Sequence, residues 1–156
     1  MTVELALYQP DIAQNTGTLL RLAACLGVRV HVIHPTGFPF SQRELKRGGL
    51  DYIDHADFAE HDSYAHFDQW RRAEGRRLVL LTTKASVSAY EAEYAGGDVL
   101  LLGRESAGVP DAVAADAELR VRIPMREGLR SINVAVAGAM IWGEALRQTQ
   151  HFDGLK

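Results

Sequence analysis

Four short apolar runs, at residues 3–8, 28–33, 78–82 and 99–102, constrain this chain more than any other feature. A strand with one wet face alternates apolar and polar side chains. Few positions in these runs are polar, so each is read as covered on both faces. Helical patterns stand between them. Residues 11–27 carry Leu19, Leu20, Leu22, Ala23, Ala24 and Leu26 at helical spacing and close on Gly27. Ser41 is placed to cap a short helix bearing Arg43, Lys46 and Arg47 on one face, with Gly48 and Gly49 ending it. Residues 63–74 and 111–117 also read as helices, and 86–94 reads as a surface helix or an irregular link. Strands alternating with helices predict an α/β fold, with a mainly parallel sheet and helices on both faces.

The last third of the chain carries the most unusual stretch. Residues 119–123 alternate charged and apolar positions as a strand would, and Pro124 and Gly128 break the chain after it. Ser131 or Asn133 then supplies a helix-capping side chain, and an apolar run follows from 134 to 142. Ala135, Ala137, Gly138, Ala139 and Gly143 give this helix a surface that other backbones can approach closely, so it is expected to be buried on several sides, within or between subunits. The run is too short to cross a membrane, which takes ~20 apolar residues.

Several chemistries are excluded or unsupported. No G-x-G-x-x-G follows the first strand, and there is no Walker A sequence. Gly103 to Gly108 reads G-x-x-S-x-G, one residue too long for a nucleophile elbow, so Ser106 is not read as a nucleophile. The six histidines lack metal-ligand spacing and are read as solvated or locally capping. The single cysteine, Cys25, sits in an apolar helical run and is read as core, which leaves no activated thiol for covalent methyl transfer to a base. One cysteine and no leader or membrane segment fit a cytoplasmic protein. The net charge of −3 means that any nucleic acid must be held by a local basic patch. The 156 residues are expected to form one domain.

Three loops at strand ends carry the informative residues: Asn15 to Arg21, Gly103 to Pro110, and Ile123 to Asn133. In open parallel sheets, ligands gather outside the carboxyl ends of the strands. L-L-L-G-R-E-S-A-G-V-P and I-P-M…S-I-N-V-A resemble the second and third signatures of the SPOUT RNA 2′-O-methyltransferases, and N-T-G-T-L-L-R looks like the first. The resemblance covers essentially the whole chain. It is nearest to the small bacterial branch that methylates the ribose of the tRNA wobble nucleotide, a cytidine or uridine of leucine tRNAs.

This resemblance implies a C-terminal deep trefoil knot, a homodimer packed through the knot regions, and S-adenosylmethionine as methyl donor with no metal. It also implies a single SPOUT domain over 1–156 without an accessory RNA-binding segment. By matched motif positions, Leu81, Gly103, Ile123, Met125, Ser131 and Asn133 are expected at the cofactor, and Arg21 is the catalytic candidate. A guanidinium is a poor base, with a pKa above ~12, so orienting the 2′-hydroxyl and a phosphate suits Arg21 better. A purely structural role, bracing its own helix, is the alternative. Glu105 is read as bracing the second loop. Arg43, Lys46, Arg47, Lys84, Arg126 and Arg130 are expected to hold RNA, with the wobble base splayed in its loop. The sequence departs from the family pattern at Arg104, Ala135, Val136 and Gly143. Alternatives are ribose methylation at another tRNA or ribosomal RNA site, and a non-catalytic RNA-binding relative.

Overall fold

The computed structural model describes residues 1–47 and 53–156, without the side chains of Lys46, Arg47 and Ile53. Seven strands form one sheet: β1 (Glu4–Tyr8), β2 (Arg29–Ile33), β3 (Asp57–His61), β4 (Leu78–Leu81), β5 (Val87–Ser88), β6 (Val99–Leu102) and β7 (Leu119–Arg122). Their order is β3-β2-β1-β6-β4-β7-β5, and every pairing is parallel. The expected α/β class holds.

The double coverage read from the apolar runs is met by two cores. Leu5 and Leu7 of β1 point to a core shared with α1 (Ala13–Leu26) and α5 (Val134–Gln148). Ala6 and Tyr8 point to the opposite core, with Phe67 of α3 (Tyr64–Ala73) and Val113 of α4 (Asp111–Asp116). A further short helix, α2 (Gln42–Arg47), is capped by the Ser41 hydroxyl, which accepts from the Glu44 amide at 3.1 Å. Gly48 and Gly49 lie outside the described residues.

Of the two cap candidates for α5, the structure selects Asn133. Its Oδ1 accepts from the amides of Ala135 at 2.8 Å and Val136 at 3.1 Å. The helix is buried along Ala135, Ala137, Gly138, Ile141, Trp142, Ala145 and Leu146. A Cβ on Gly138 would stand 2.5 Å from Leu102 Cδ1, so the small residue is needed for packing inside this chain. Val136 and Met140 remain exposed on the other side.

One strand stands where the sequence signalled none, and Cys25 and His31 differ from their expected places. Residues 57–61 form an edge strand hidden in the sequence by its polar composition, DFAEH, with no position fully buried. Cys25 is exposed, because it falls on the face of α1 turned away from the sheet. His31 is buried rather than solvated, with its Nδ1 2.9 Å from His61 Nε2 and its Nε2 3.3 Å from Glu4 Oε1. Residues 86–94, left open between helix and irregular link, form the two-residue β5 and turns.

Candidate active site

The carboxyl ends of β1, β6, β4 and β7 are neighbours in the sheet, so the loops that leave them meet. β1 continues into α1 beside β2, whereas β6 lies on its other side, and the loops part there to open a crevice. A cavity of about 570 Å³ occupies it, within the range of small-molecule sites. Leu81, Gly103, Ile123, Met125, Ser131 and Asn133 all line it. The six residues matched to cofactor-binding motifs are therefore brought to one cavity.

Loop geometry explains the second motif. Gly103 passes so close to Gly108 that a Cβ on it would lie 2.7 Å from the Gly108 Cα. Arg104 and Gly108 then pair in both directions, with N–H···O distances of 3.0 and 2.8 Å, and Gly108 takes φ +66°. The result is a tight backbone loop with its inner wall facing the cavity.

The first loop clamps the second through Asp11, which the sequence did not single out. The Asp11 amide donates to Glu105 Oε2 at 3.0 Å, and the Glu105 amide donates back to Asp11 Oδ1 at 3.2 Å. The Ser106 hydroxyl donates to Asp11 Oδ2, and Arg104 Nη2 lies 3.6 Å from the same oxygen. Hydrogen bonding with Glu105 and then Ser106 holds the Asp11 carboxyl down to about 2, while burial pushes that of Glu105 up. Asp11 thus stays ionised and Glu105 is the member of the pair that takes a proton more readily. Glu105 braces the loop, as expected.

Asn15 carries the bracing to the third loop. Its Nδ2 is 3.5 Å from Glu105 Oε1, and its Oδ1 accepts from Asn133 Nδ2 at 3.2 Å. Asn133 also caps α5, so one chain of polar contacts joins the three motifs. The sequence offered each as a separate loop; only the fold shows that their side chains touch.

The cationic residues spread more widely. Lys84 lines the cavity, and Arg126 and Arg130 line an adjoining hollow. Arg43 is exposed on α2, away from both sets of lining residues. The side chains of Lys46 and Arg47 lie outside the described residues. Arg21 is exposed on α1 and does not line the cavity of its own chain. Among the described residues no group of histidine, cysteine and carboxylate side chains is placed to hold a metal ion, and no helix is long and apolar enough to cross a membrane.

The model of the SpoU rRNA Methylase family matches residues 2–142. The chain belongs to this family. Its similarity to curated members runs nearly end to end. It is 57% identical to a tRNA (cytidine(34)-2′-O)-methyltransferase of Ancylobacter novellus, covering 97% of this chain and 96% of that protein. It is 37% identical to the enzyme of the same name from Escherichia coli K12, covering 94% and 93%. A solved structure reported as "Structural insights into the 2-OH methylation of C/U34 on tRNA" superposes with a TM-score of 0.87 at 44% identity, covering 94% of this chain and 95% of that one. An AdoMet-bound rRNA methyltransferase from Sinorhizobium meliloti superposes at 0.84 with 30% identity, covering 94% of this SpoU-family chain and 56% of that one. The family named in the sequence reading is thereby shown, and with it the methyltransferase class.

Proposed function

We propose that this protein methylates the ribose 2′-oxygen of the wobble nucleotide, a cytidine or uridine, in leucine tRNAs, taking the methyl group from S-adenosylmethionine. The observation that carries the reading is the convergence of all six motif-matched residues on one cavity, braced through Asp11, Glu105, Asn15 and Asn133. Relatives of nearly equal length named for cytidine 34 support the target.

The cavity fits the donor in size and character: apolar walls from Leu81, Leu102, Ile123 and Ile132, with tight backbone loops at its edge. When bound, S-adenosylmethionine supplies a methyl group already activated by its sulfonium. The chain's residues therefore serve position rather than chemical activation. The Gly103–Gly108 loop, with Met125, Ser131 and Asn133, holds the donor. Lys84 stands at the cavity and offers a charge to incoming RNA. No residue here needs a metal ion.

Arg21 orients the 2′-hydroxyl and an adjoining phosphate while the proton leaves to solvent or phosphate. Its place outside its own chain's cavity is reconciled by a homodimer. α1 packs beside α5, and the exposed Val136 and Met140 mark α5's open face. A second copy covering that face brings Arg21 to a composite site. A deep trefoil knot in the C-terminal part, a single domain serving both RNA and donor, and a cytoplasmic location complete the proposal. Calorimetry with S-adenosylmethionine and sedimentation of Met140→Asp test the site and the dimer. Absence of donor binding would leave a non-catalytic RNA-binding relative as the better reading.

A further inference from the structure

Two groups of arginines stand in contrast. Arg29, Arg71, Arg76, Arg77, Arg104 and Arg147 each face a carboxylate inside the fold or on its surface. Among the described residues, Arg122, Arg126 and Arg130 have neither an ion pair nor a side-chain hydrogen bond. All three line one hollow of about 230 Å³, which also holds Thr83 and the single carboxylate of Glu127. Ile123 and Met125 line both this hollow and the larger cavity, so the two share a wall.

Three guanidiniums against the one carboxylate of Glu127 leave the hollow with a positive excess that favours an entering anion. They are also held in different ways. Arg122 ends strand β7 and is fixed by the ladder, whereas Arg126 and Arg130 flank a turn in which the Leu129 amide donates to the Arg126 carbonyl at 3.3 Å. Three exposed guanidiniums, one carried by a strand end and two by a turn, suit an oxyanion approached from solvent. Leu129, 67% exposed, stands beside them as an apolar surface for a sugar or base.

The geometry points to this hollow as a phosphodiester subsite, in which Arg122, with Arg126 and Arg130, grips a backbone phosphate next to the nucleotide presented at the cavity. The inference rests on the proposed RNA substrate and deepens it. It assigns Arg122, which lies on a strand rather than a loop, to RNA positioning. The carboxylate of the methyl donor is the other anion that could reach the shared wall. It carries a single charge, whereas a phosphodiester brings its flanking phosphates to three arginines.

The test compares Arg122→Gln, Arg122→Lys and the wild-type protein in tRNA binding across a salt series, with S-adenosylmethionine calorimetry on the same preparations. Arg122→Gln should weaken tRNA binding about tenfold and lower the slope of log affinity against log salt by about 0.7–0.9, one phosphate contact. Arg122→Lys should keep the slope, and donor affinity should stay within about twofold for both. Arg126→Gln is the second variant should Arg122→Gln fail to fold. A wild-type slope and affinity in the Gln variants would overturn the subsite. So would lost donor affinity with an unchanged tRNA slope, which would assign the hollow to the donor carboxylate. Failure of the wild-type protein to methylate tRNA would instead sink the proposed function, and the two failures are read separately.

Discussion

The two ends of the sheet treat charge in opposite ways. Under α3, Arg71 is 1% exposed and reaches Asp68 at 2.6 Å and Glu118 at 2.9 Å. Near it, Glu4 meets His31 and Arg76, while the His31 and His61 rings pack against Trp70 at centroid distances of 4.3 and 5.5 Å. The charges of Arg71, Glu4 and Arg76 there are answered from within the chain. At the carboxyl ends of β4 and β7, Lys84, Arg122, Arg126 and Arg130 stand exposed and unpaired among the described residues. Charges neutralised inside the chain hold the fold. Those left unneutralised around a cavity are available to a ligand. Net charge, at −3, hides this division.

The largest effect that would sharpen this contrast is on stability. Arg71→Met should lower unfolding free energy by about 3 kcal/mol, since it removes the buried guanidinium that Asp68 and Glu118 share and leaves Asp68 with Arg72 alone. Urea titration checks it, and an unchanged midpoint would break the distinction. Acid should act next. Burial, and then the His31 charge, hold His61 at about 4 against an ordinary 6.5. Between those values the unfolded chain binds more protons, so stability is full above about pH 6.5 and falls as the pH drops toward about 4. With a discount for partial exposure the loss is about 2 kcal/mol. Urea midpoints at pH 7 and 4.5 should differ accordingly, and His61→Gln should remove that share of the difference.

Asn133→Ala sits between the two regions in kind. Loss of the α5 cap should cost about 1 kcal/mol, seen in thermal unfolding, and loss of its bond to Asn15 should weaken donor binding measured by calorimetry. Smallest on stability is Arg126→Ala, which should leave the urea midpoint where it was while weakening tRNA retention on filters. A shifted midpoint would place Arg126 with the structural arginines.

Much of the fold was legible because burial writes itself into composition. Residues 99–102 read as a buried strand because β6 is covered on both faces. β3 escaped detection because an edge strand tolerates Asp57, Glu60 and His61. His31 and Cys25 were misplaced for a related reason: spacing gives a helix or strand its period, but not which neighbour meets each face. His31 is buried only because Glu4 and His61, from two other strands, satisfy its ring. The cofactor loops were readable as motifs. Asp11 was not, since its role is made by contacts with Glu105 and Ser106, more than ninety residues away in sequence. A carboxylate just before a helix at a strand end was the available signal. Arg122 was hidden in a strand pattern, where an exposed charge looks ordinary.

The most direct test is methyl transfer from labelled S-adenosylmethionine to undermethylated tRNA, with the product mapped to the nucleotide and Arg21→Ala run beside the wild-type protein. The expected result is label on the ribose of the wobble nucleotide, lost in the variant while donor binding survives. Label on any other nucleotide, or none with donor bound, would contradict it.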